Sequence, residues 1–445
     1  MAGNFRGAST LLLLLLQATF VATLHAQQPP GSPGPLRLTL KEAVQLALKQ
    51  NPQQIIAKLL VRESEHNAQV ARSSLLPQAG ITAEGSLDQY NLQTVERLPH
   101  RTPAGPYQYI DAGVGYSQTL LDLPQIRGYQ IGREGRKEAR ADEQTTHEIV
   151  VTAVVEQYLM VLRALATRDA ANARVVLAQR LYEQAKQLQS TGIGLNIDTV
   201  RANVELQNEQ QNLIDAEAQT RTTTYALAEL LDLPRDQELE VTDHLEFYNL
   251  PAIAREALLD QALTYRPEVR SVNSQMRIAK LSTDATREQS FPQIGFTGFW
   301  GYQGEHFNDG IPAYAYTISL AFPLFTGGRI RAQLANAKLE QQHVDENRRL
   351  LNDRIVREVK TAFEDLNAAQ SAVDVANLGY KLAQEEVAQA ERRFQAGVTT
   401  NVEVVTAQDA LARASDNQIG AFYQFNLARA ALARATGQIE SMYSK

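Results

Sequence analysis

No cysteine occurs among the 445 residues. That absence excludes disulfides, thiolate catalysis and Cys-based zinc or iron–sulfur sites. It also excludes the lipid-anchored N-terminal cysteine that some exported envelope proteins carry. Positive charge is not in excess either. Lys and Arg number 43 against 50 Asp and Glu, a net charge of -7, without the clustered basic footprint that nucleic acid requires. There is no nucleophile elbow, phosphate loop or dinucleotide fingerprint. His147-Glu148 opens like a zinc-protease helix, but the position four residues after His147 is Val151. No catalytic residue, cofactor or metal site is therefore expected. After the N-terminus no run of 18 apolar residues appears, so a mature chain that crosses a membrane must do so as β-strands.

What is present begins with a secretory signal. Arg6 precedes an apolar core of Leu11 to Leu16, Ala18, Phe20, Val21 and Ala22, and Leu24-His25-Ala26 is a tolerable cleavage site, so residues 1–26 read as a removed signal peptide. The Pro/Gly/Gln-rich stretch that follows, 27–37, reads as a disordered linker.

The rest of the chain is written twice. Asn51-Pro52-Gln53 matches Arg266-Pro267-Glu268, and Leu76-Pro77-Gln78 matches Phe291-Pro292-Gln293. Further on, Gly192-Ile193-Gly194-Leu195-Asn196-Ile197-Asp198 matches Gly397-Val398-Thr399-Thr400-Asn401-Val402-Glu403. The first matches lie 215 apart and the last lies 205 apart. About ten extra residues are therefore expected in the first copy, in the Pro-rich loop from Leu98 to Pro106. The copies span 38–248 and 249–438, with a tail at 439–445. Each holds a short and a longer helix, two strands (near 79–90 and 107–120, then 293–303 and 313–325) and a long helical hairpin (125–233, then 329–437).

The strands carry a membrane pattern. Tyr314, Tyr316, Ile318, Leu320 and Phe322 share one face, against Ala313, Ala315, Thr317, Ser319 and Ala321. This period of two over about ten residues suits a tilted outer-membrane strand whose large side chains face lipid. Four strands cannot close a barrel, and open edges are not tolerated in hydrocarbon. Three copies would supply twelve strands, enough to enclose a lumen.

The hairpins are too long for an ordinary globular domain. A proline-free stretch of some 66 residues would span about 100 Å as helix. Ala178, Leu181, Ala185 and Leu188 step 3-4-3, and Leu411, Ala414, Gln418, Ala421, Phe425, Ala428, Leu432 and Ala435 hold a heptad seam. The Gly breaks are hairpin tips, where Asn196 or Asn401 can cap the next helix and Asp198 or Glu403 sits in its first turn.

These features together resemble the TolC-like outer-membrane efflux family. The resemblance rests on the duplicated halves, on A-G-V-T-T-N-V-E-V-V-T-A at 396–407 and on P-L-F-T-G-G-R-I at 323–330. It covers about Leu38 to Gly437. It implies a mainly α fold with a membrane β part. Long antiparallel coiled-coil helices would form a periplasmic α-barrel, and four strands per protomer would join a trimeric twelve-stranded outer-membrane β-barrel. It further implies a homotrimer in outer-membrane lipid, docked to a periplasmic adaptor and an inner-membrane transporter. The family's acidic tunnel constriction maps onto Glu403. Its second acid is Thr406 here, its aromatic is Phe394, and Asp198 repeats the acidic position in the first copy. The tips Gly192, Ile193, Gly194, Asn196, Gly397, Val398, Thr399 and Asn401 would meet the adaptor. The matching joint before the first hairpin, Thr119 to Pro124, lacks both glycines of Pro323 to Gly328 and should turn differently. A periplasmic structural coiled coil without channel activity would share the helices but would not need the strands.

Overall fold

A computed structural model of the chain describes residues 34–91, 103–192, 194–248, 254–306 and 308–443. The proposed signal peptide and most of the linker lie outside these residues. Leu36 and Arg37, assigned above to the linker's end, form strand β1 (Leu36–Leu38) with the first residue of the repeat. It pairs in parallel with β4, Leu239–Val241. Backbone hydrogen bonds to a strand 203 residues away order a segment that its composition alone would leave loose.

The duplication appears as matching elements. In the first copy, α1 (Leu40–Gln50) and α2 (Pro52–Ser73) lead to β2 (Gln78–Asn91), β3 (Pro103–Leu121), α3 (Leu123–Ser190) and α4 (Asn196–Leu230). In the second, α5 (Arg255–Tyr265) and α6 (Pro267–Glu288) lead to β5 (Gln293–Gly304), β6 (Ile311–Ala321), α7 (Arg329–Gln395) and α8 (Asn401–Ala435). The expected C-terminal tail begins with a short helix, α9 (Ile439–Tyr443), whose Ile439 is fully buried in the largest core cluster.

Local chemistry sets the starts. Thr39 opens α1 with a capping box: its hydroxyl accepts from Glu42 N, and Glu42 accepts from Thr39 N at 2.8 Å. Asn51 caps α2 ahead of Pro52 by accepting from Gln53 N at 2.9 Å.

The change of repeat offset arises in the hairpin that holds the expected loop, offset in part by the joint that follows it. β2 through β3 occupies residues 78–121, 44 residues, whereas β5 through β6 occupies 293–321, only 29. The joint into the long helix is one residue in the first copy, Asp122, and seven in the second, 322–328. A longer hairpin and a shorter joint partly cancel. Residues 98–102 of the expected Pro-rich loop lie outside the described residues, and Pro103 to Pro106 belong to β3. As expected, the joints differ. Asp122 caps α3 directly, accepting from Gln125 N at 3.0 Å, while α7 is entered through Gly327 and Gly328, both left-handed at φ 60° and 82°. The last expected strand, to 325, stops at Ala321 because this turn begins there.

The helices stand in a row. Near the tips the order is α4–α3–α8–α7, and near the sheet it is α2–α3–α6–α7. At ~1.5 Å per residue the 68 residues of α3 span about 100 Å. The expected seams are internal: Ala178, Leu181 and Ala185 are buried, as are Ala421, Phe425, Ala428, Leu432 and Ala435. The small Ala side chains let the axes approach closely. One 18-residue window of α3 is apolar enough to pass for a membrane span, and half of it is buried in this packing. At the waist, Tyr158 is fully buried and donates toward Leu38 O (3.0 Å) and Asp243 Oδ2 (2.9 Å). It thereby clasps the start of the first copy and the segment that leaves it.

Candidate functional site

Two regions carry the expected chemistry: the sheet at one end and the hairpin tips at the other. The sheet runs β2–β3–β5–β6, antiparallel throughout. Its register sorts side chains by polarity across all four strands. On one face lie Ile81 and Leu87 of β2, Ile110, Val114 and Tyr116 of β3, Phe296, Trp300 and Tyr302 of β5, and Tyr314, Tyr316, Ile318 and Leu320 of β6. On the other lie Thr82, Glu84, Ser86 and Asp88, then Tyr107, Tyr109, Asp111, Ser117 and Thr119, then Thr297, Phe299 and Gln303, then Ala313, Ala315, Thr317 and Ser319. The sorting has exceptions: Gln108 and Gln118 fall on the apolar face, and Ile311 and Phe299 on the polar one. Phe299 lies over Gly113 and Gly301, where added Cβ atoms would meet its ring at 2.6 and 2.8 Å. The five residues expected to face lipid are all exposed, Ile318 at 71%, with Phe322 one residue beyond β6. β2 and β6 are unpaired edges in the single chain.

At the tips, Gly192 and Gly397 take the left-handed conformation (φ 76° and 70°) that ends a helix with least strain. The second tip is a complete Schellman motif, with Gly397 N bonded to Phe394 O and Val398 N to Arg393 O, both 3.0 Å. Gly194 N reaches Leu188 O at 2.9 Å, and a Cβ at Gly194 would lie 2.9 Å from the Leu188 Cβ. Ile193 lies outside the described residues. Val398 is exposed.

The capping expectation for Asn196 and Asn401 is corrected. The extended cap residues are Leu195 and Thr400, and neither asparagine caps by side chain, because each is already the first helical residue. Asn196 instead accepts from Gln189 Nε2 at 3.0 Å. Asn401 is 0% exposed and ties the two tips together. Its Nδ2 donates to Asp198 O (2.9 Å), and its Oδ1 accepts from Arg201 Nη1 (2.9 Å). Arg201 also pairs with the Asp198 carboxylate at 3.4 Å.

The expected constriction residues do not gather as one cluster. Glu403 pairs with Arg393 at 2.9 Å and accepts from the Thr399 hydroxyl, so its charge is balanced within the protomer. Thr406 is exposed and donates to Val402 O of its own helix at 2.8 Å. Phe394, 9% exposed, is a packing residue: it joins Leu181, Ala185, Val387, Ala390 and Val404 in the cluster that holds the two hairpins together. Its apolar ring gains more from that cluster than from a tunnel wall. Arg201 and Arg393 were missed, because a short motif cannot show which distant cation will fold back onto it.

A second feature was missed. Arg434 bridges Glu148 and Glu268, both at 2.6 Å, and the buried Arg266 bridges Glu268 and Glu358. Burial pushes Glu268 up, but hydrogen bonds and charge from Arg266 and Arg434 outweigh it and hold the carboxyl at about 2. Burial dominates at Glu148 and raises it to about 7 against the pull of Arg434. The sequence clue was the pairing of Arg266 and Glu268 around Pro267, although their partners lie 92 and 166 residues away. Elsewhere, exposed Glu305, His306 and Asp309 gather in the β5–β6 connection, where Asp309 accepts from His306 N at 2.7 Å.

An amphipathic sheet mounted on paired helical hairpins of about 100 Å defines the class: an outer-membrane channel protein with a large periplasmic helical part. The profile of the outer membrane efflux protein family matches residues 43–232 and again 258–438, and the chain belongs to that family. The Vibrio cholerae outer membrane protein TolC is 22% identical over 88% of this chain and 89% of its own. The Pseudomonas putida pyoverdine export outer membrane protein OpmQ is 25% identical over 85% and 81%. The crystal structure of the Campylobacter jejuni CmeC outer membrane channel superposes with a TM-score of 0.78 at 17% identity, covering 90% of this chain and 86% of that one. The double match of the family profile follows the same duplication that the Pro and Gly motifs mark.

Proposed function

We propose that three copies of this chain close a twelve-stranded barrel in the outer membrane and extend it as a helical tunnel through the periplasm. The assembly would be the exit duct of a tripartite efflux or secretion system for small molecules or polypeptides. The observation that carries this reading is the two-faced sheet with open β2 and β6 edges, which hydrocarbon does not tolerate. The helix row supports it. Its edge helices expose apolar residues at both ends: Ile56 and Leu60 on α2, Ile197, Val200, Val204 and Ile214 on α4, and Val375, Leu378 and Leu382 on α7. Those on α4 fall on a 3-4 repeat, the spacing of a coiled-coil contact awaiting its partner. A neighbouring copy in a closed ring would cover both edges.

The tips would form the tunnel entrance, with Asp198, Glu403, Thr406 and Phe394 at or just behind it. Exposed Val398, with Ile193, would meet the hairpins of a periplasmic adaptor linked to an inner-membrane transporter. Two substitutions test the barrel. Ile318→Arg should cost about 2–4 kcal/mol per protomer if it sits near the bilayer midplane, and should abolish the trimer band on unheated gels. Thr317→Arg, on the opposite face, should preserve that band. Equal behaviour of the two would refute the face assignment. For docking, Asp at both Ile193 and Val398 should leave trimers intact and stop export; unimpaired export would remove the adaptor from the tips.

A further inference from the structure

The four connections between the sheet and the helix row, 74–77, Asp122, 289–292 and 322–328, leave the sheet at the same end. Large apolar side chains stand in the open there. Leu324 and Phe325 are 86% and 89% exposed, and Leu76, Phe291 and Phe322 are exposed as well. An exposed apolar patch of this kind marks a surface that something covers. Cations gather at the same end. The chain has a net charge of -7, and none of β2, β3, β5 or β6 contains a Lys or Arg. Yet Arg72 and Arg287 lie in the last turns of α2 and α6, and Arg329 and Arg331 in the first turn of α7. All four are exposed and, among the described residues, none is in an ion pair. The acids nearby are already committed. Asp122 caps α3, Glu288 pairs with Arg127 at 2.8 Å, and Asp284 is half-buried near Arg127. Arg329 is held at the joint, where its Nη1 donates to Gln289 Oε1 at 3.0 Å, two residues before Phe291. A guanidinium offers phosphate two parallel N–H donors. Beside open aromatic and aliphatic side chains, it suits a ligand with a phosphate at one end and acyl chains at the other.

We infer that this collar, with Arg329 and Arg331 at its centre, binds anionic glycerophospholipids of the periplasmic leaflet by their phosphate headgroups. This rests on the trimeric-barrel reading above, which puts the sheet in the bilayer and the joints at its edge. The apolar face of the sheet runs on into the collar, because Phe322 lies one residue beyond β6 and opens the joint. Near the sheet, α2 and α7 are the two ends of the helix row. In a closed ring, α7 of one copy would meet α2 of the next, bringing Arg329 and Arg331 near Arg72 across the seam. Like charges so placed repel, and one anionic headgroup between them would neutralise them. The lipid would then bridge two copies as well as solvate the barrel.

The single tryptophan, Trp300, provides the test. Trp300→Phe with Phe291→Trp moves the only indole into the collar, where lipids with brominated acyl chains quench its fluorescence on contact. Full-length trimers are reconstituted in mixed phosphatidylcholine and phosphatidylglycerol, each brominated in turn. Phosphatidylglycerol should bind at the collar about fivefold more tightly than phosphatidylcholine, and Arg329→Gln with Arg331→Gln should bring the ratio close to one. In the parent protein, where Trp300 lies nine residues from Phe291 along the chain, the ratio should already be close to one. A preference that survives the double substitution, or that is equal at the two positions, overturns the inference. So does its loss to excess glycerol phosphate, which would mean that the arginines take free phosphate rather than lipid. If the double variant does not form trimers, Arg72→Gln replaces it and should lower the ratio part-way; no change there counts against the inference as well. Quenching at Trp300 without quenching at position 291 would reject the collar alone. A Trp300 that neither lipid quenches would reject the barrel reading itself.

Discussion

The two copies of the repeat agree in the lengths of their helices and differ at their joints. The short helices α1 and α5 have 11 residues each, α2 and α6 have 22, and α4 and α8 have 35. The connections follow no such rule. At the first junction, Asn51 caps α2 and donates its Nδ2 to Leu230 O at 2.9 Å. At the second, Arg266 occupies the cap without a side-chain cap bond and instead enters an ion network with Glu268, Glu358 and Arg434. Helix length is fixed because each helix must match its neighbours in one row, and a changed length would shift every seam residue out of contact. A junction needs only to satisfy its own polar groups. Amides and charges are alternative ways to do so, with different costs.

Those costs can be measured. Glu268→Gln leaves the buried Arg266 and the half-buried Arg434 with a weaker acceptor and should destabilise the fold by about 3–5 kcal/mol. Its counterpart Gln53→Ala should change little, because Gln53 is exposed and contributes its backbone N–H to the cap. Thermal midpoints in detergent would rank the two, and equal values would mean that the ionic junction is ornamental. The charged junction should also respond to pH. Glu268, held at about 2, contributes stability that is present above its unfolded value of 4.5 and is lost as pH falls toward 2. Glu148, raised to about 7, works in the opposite sense. Its ionised form opposes folding above pH 7, and that penalty fades as pH falls toward 4.5. Glu148→Gln should therefore raise the midpoint at pH 8 relative to the parent and lose that advantage near pH 5. An equal effect at both pH values would place the titration elsewhere.

The sequence disclosed the repeat, the strands and the hairpins because each rests on a period: Pro and Gly marks 215 and 205 apart, alternation in Ala313 to Phe322, and heptad steps from Leu411 to Ala435. Such signals are local or self-referring. β1 was misread because its pairing partner, Leu239–Val241, lies 203 residues away in a segment with no pattern of its own. The tips were located correctly at their glycines, whose backbone conformation is a local property, while the capping role expected of their asparagines was not met. Asn401 looked like a cap because Asn is a frequent cap. Its real partners, Arg201 and the Asp198 carbonyl, belong to the other copy. The sheet's charge pattern was readable strand by strand, but the opposition of Glu84 and Asp111 depends on register across a connection that sequence does not fix.

Asn401 and Asn196 sharpen the comparison at the tips, where matched residues have unmatched surroundings. Asn401→Ala removes a donor and an acceptor from a fully buried position, and with them the bonds to the Asp198 carbonyl and to Arg201, so about 1–3 kcal/mol should be lost. Asn196→Ala removes an exposed contact to Gln189 and should stay within about 0.5 kcal/mol. Limited proteolysis at the tips provides the readout: Asn401→Ala should expose 186–202 and 390–405 to cleavage, and Asn196→Ala should not. Equal protection would mean that the apolar cluster around Phe394 joins the hairpins unaided.

The smallest expected effect lies where α4 and α8 end. Both close with the same Schellman pattern: Asp232 N to Glu229 O and Leu233 N to Ala228 O in the first copy, Gly437 N to Arg434 O and Gln438 N to Ala433 O in the second. Both central residues are left-handed, at φ 50° for Asp232 and 71° for Gly437. An L-residue there costs on the order of 1 kcal/mol, less for Asp than for most. Glycine removes that strain but gives the unfolded chain more freedom, which returns part of the gain. Asp232→Gly should therefore stabilise by only about 0.5 kcal/mol. The reverse exchange is not symmetrical. A Cβ at position 437 would lie 3.3–3.4 Å from the Arg266 backbone, in the wall of the ionic junction. Gly437→Asp adds that crowding, and a negative charge, to the backbone strain, so it should cost about 1 kcal/mol or more. If the two exchanges prove equal and opposite, the glycine serves its helix alone, and the second junction is as loosely built around its C-terminus as the first.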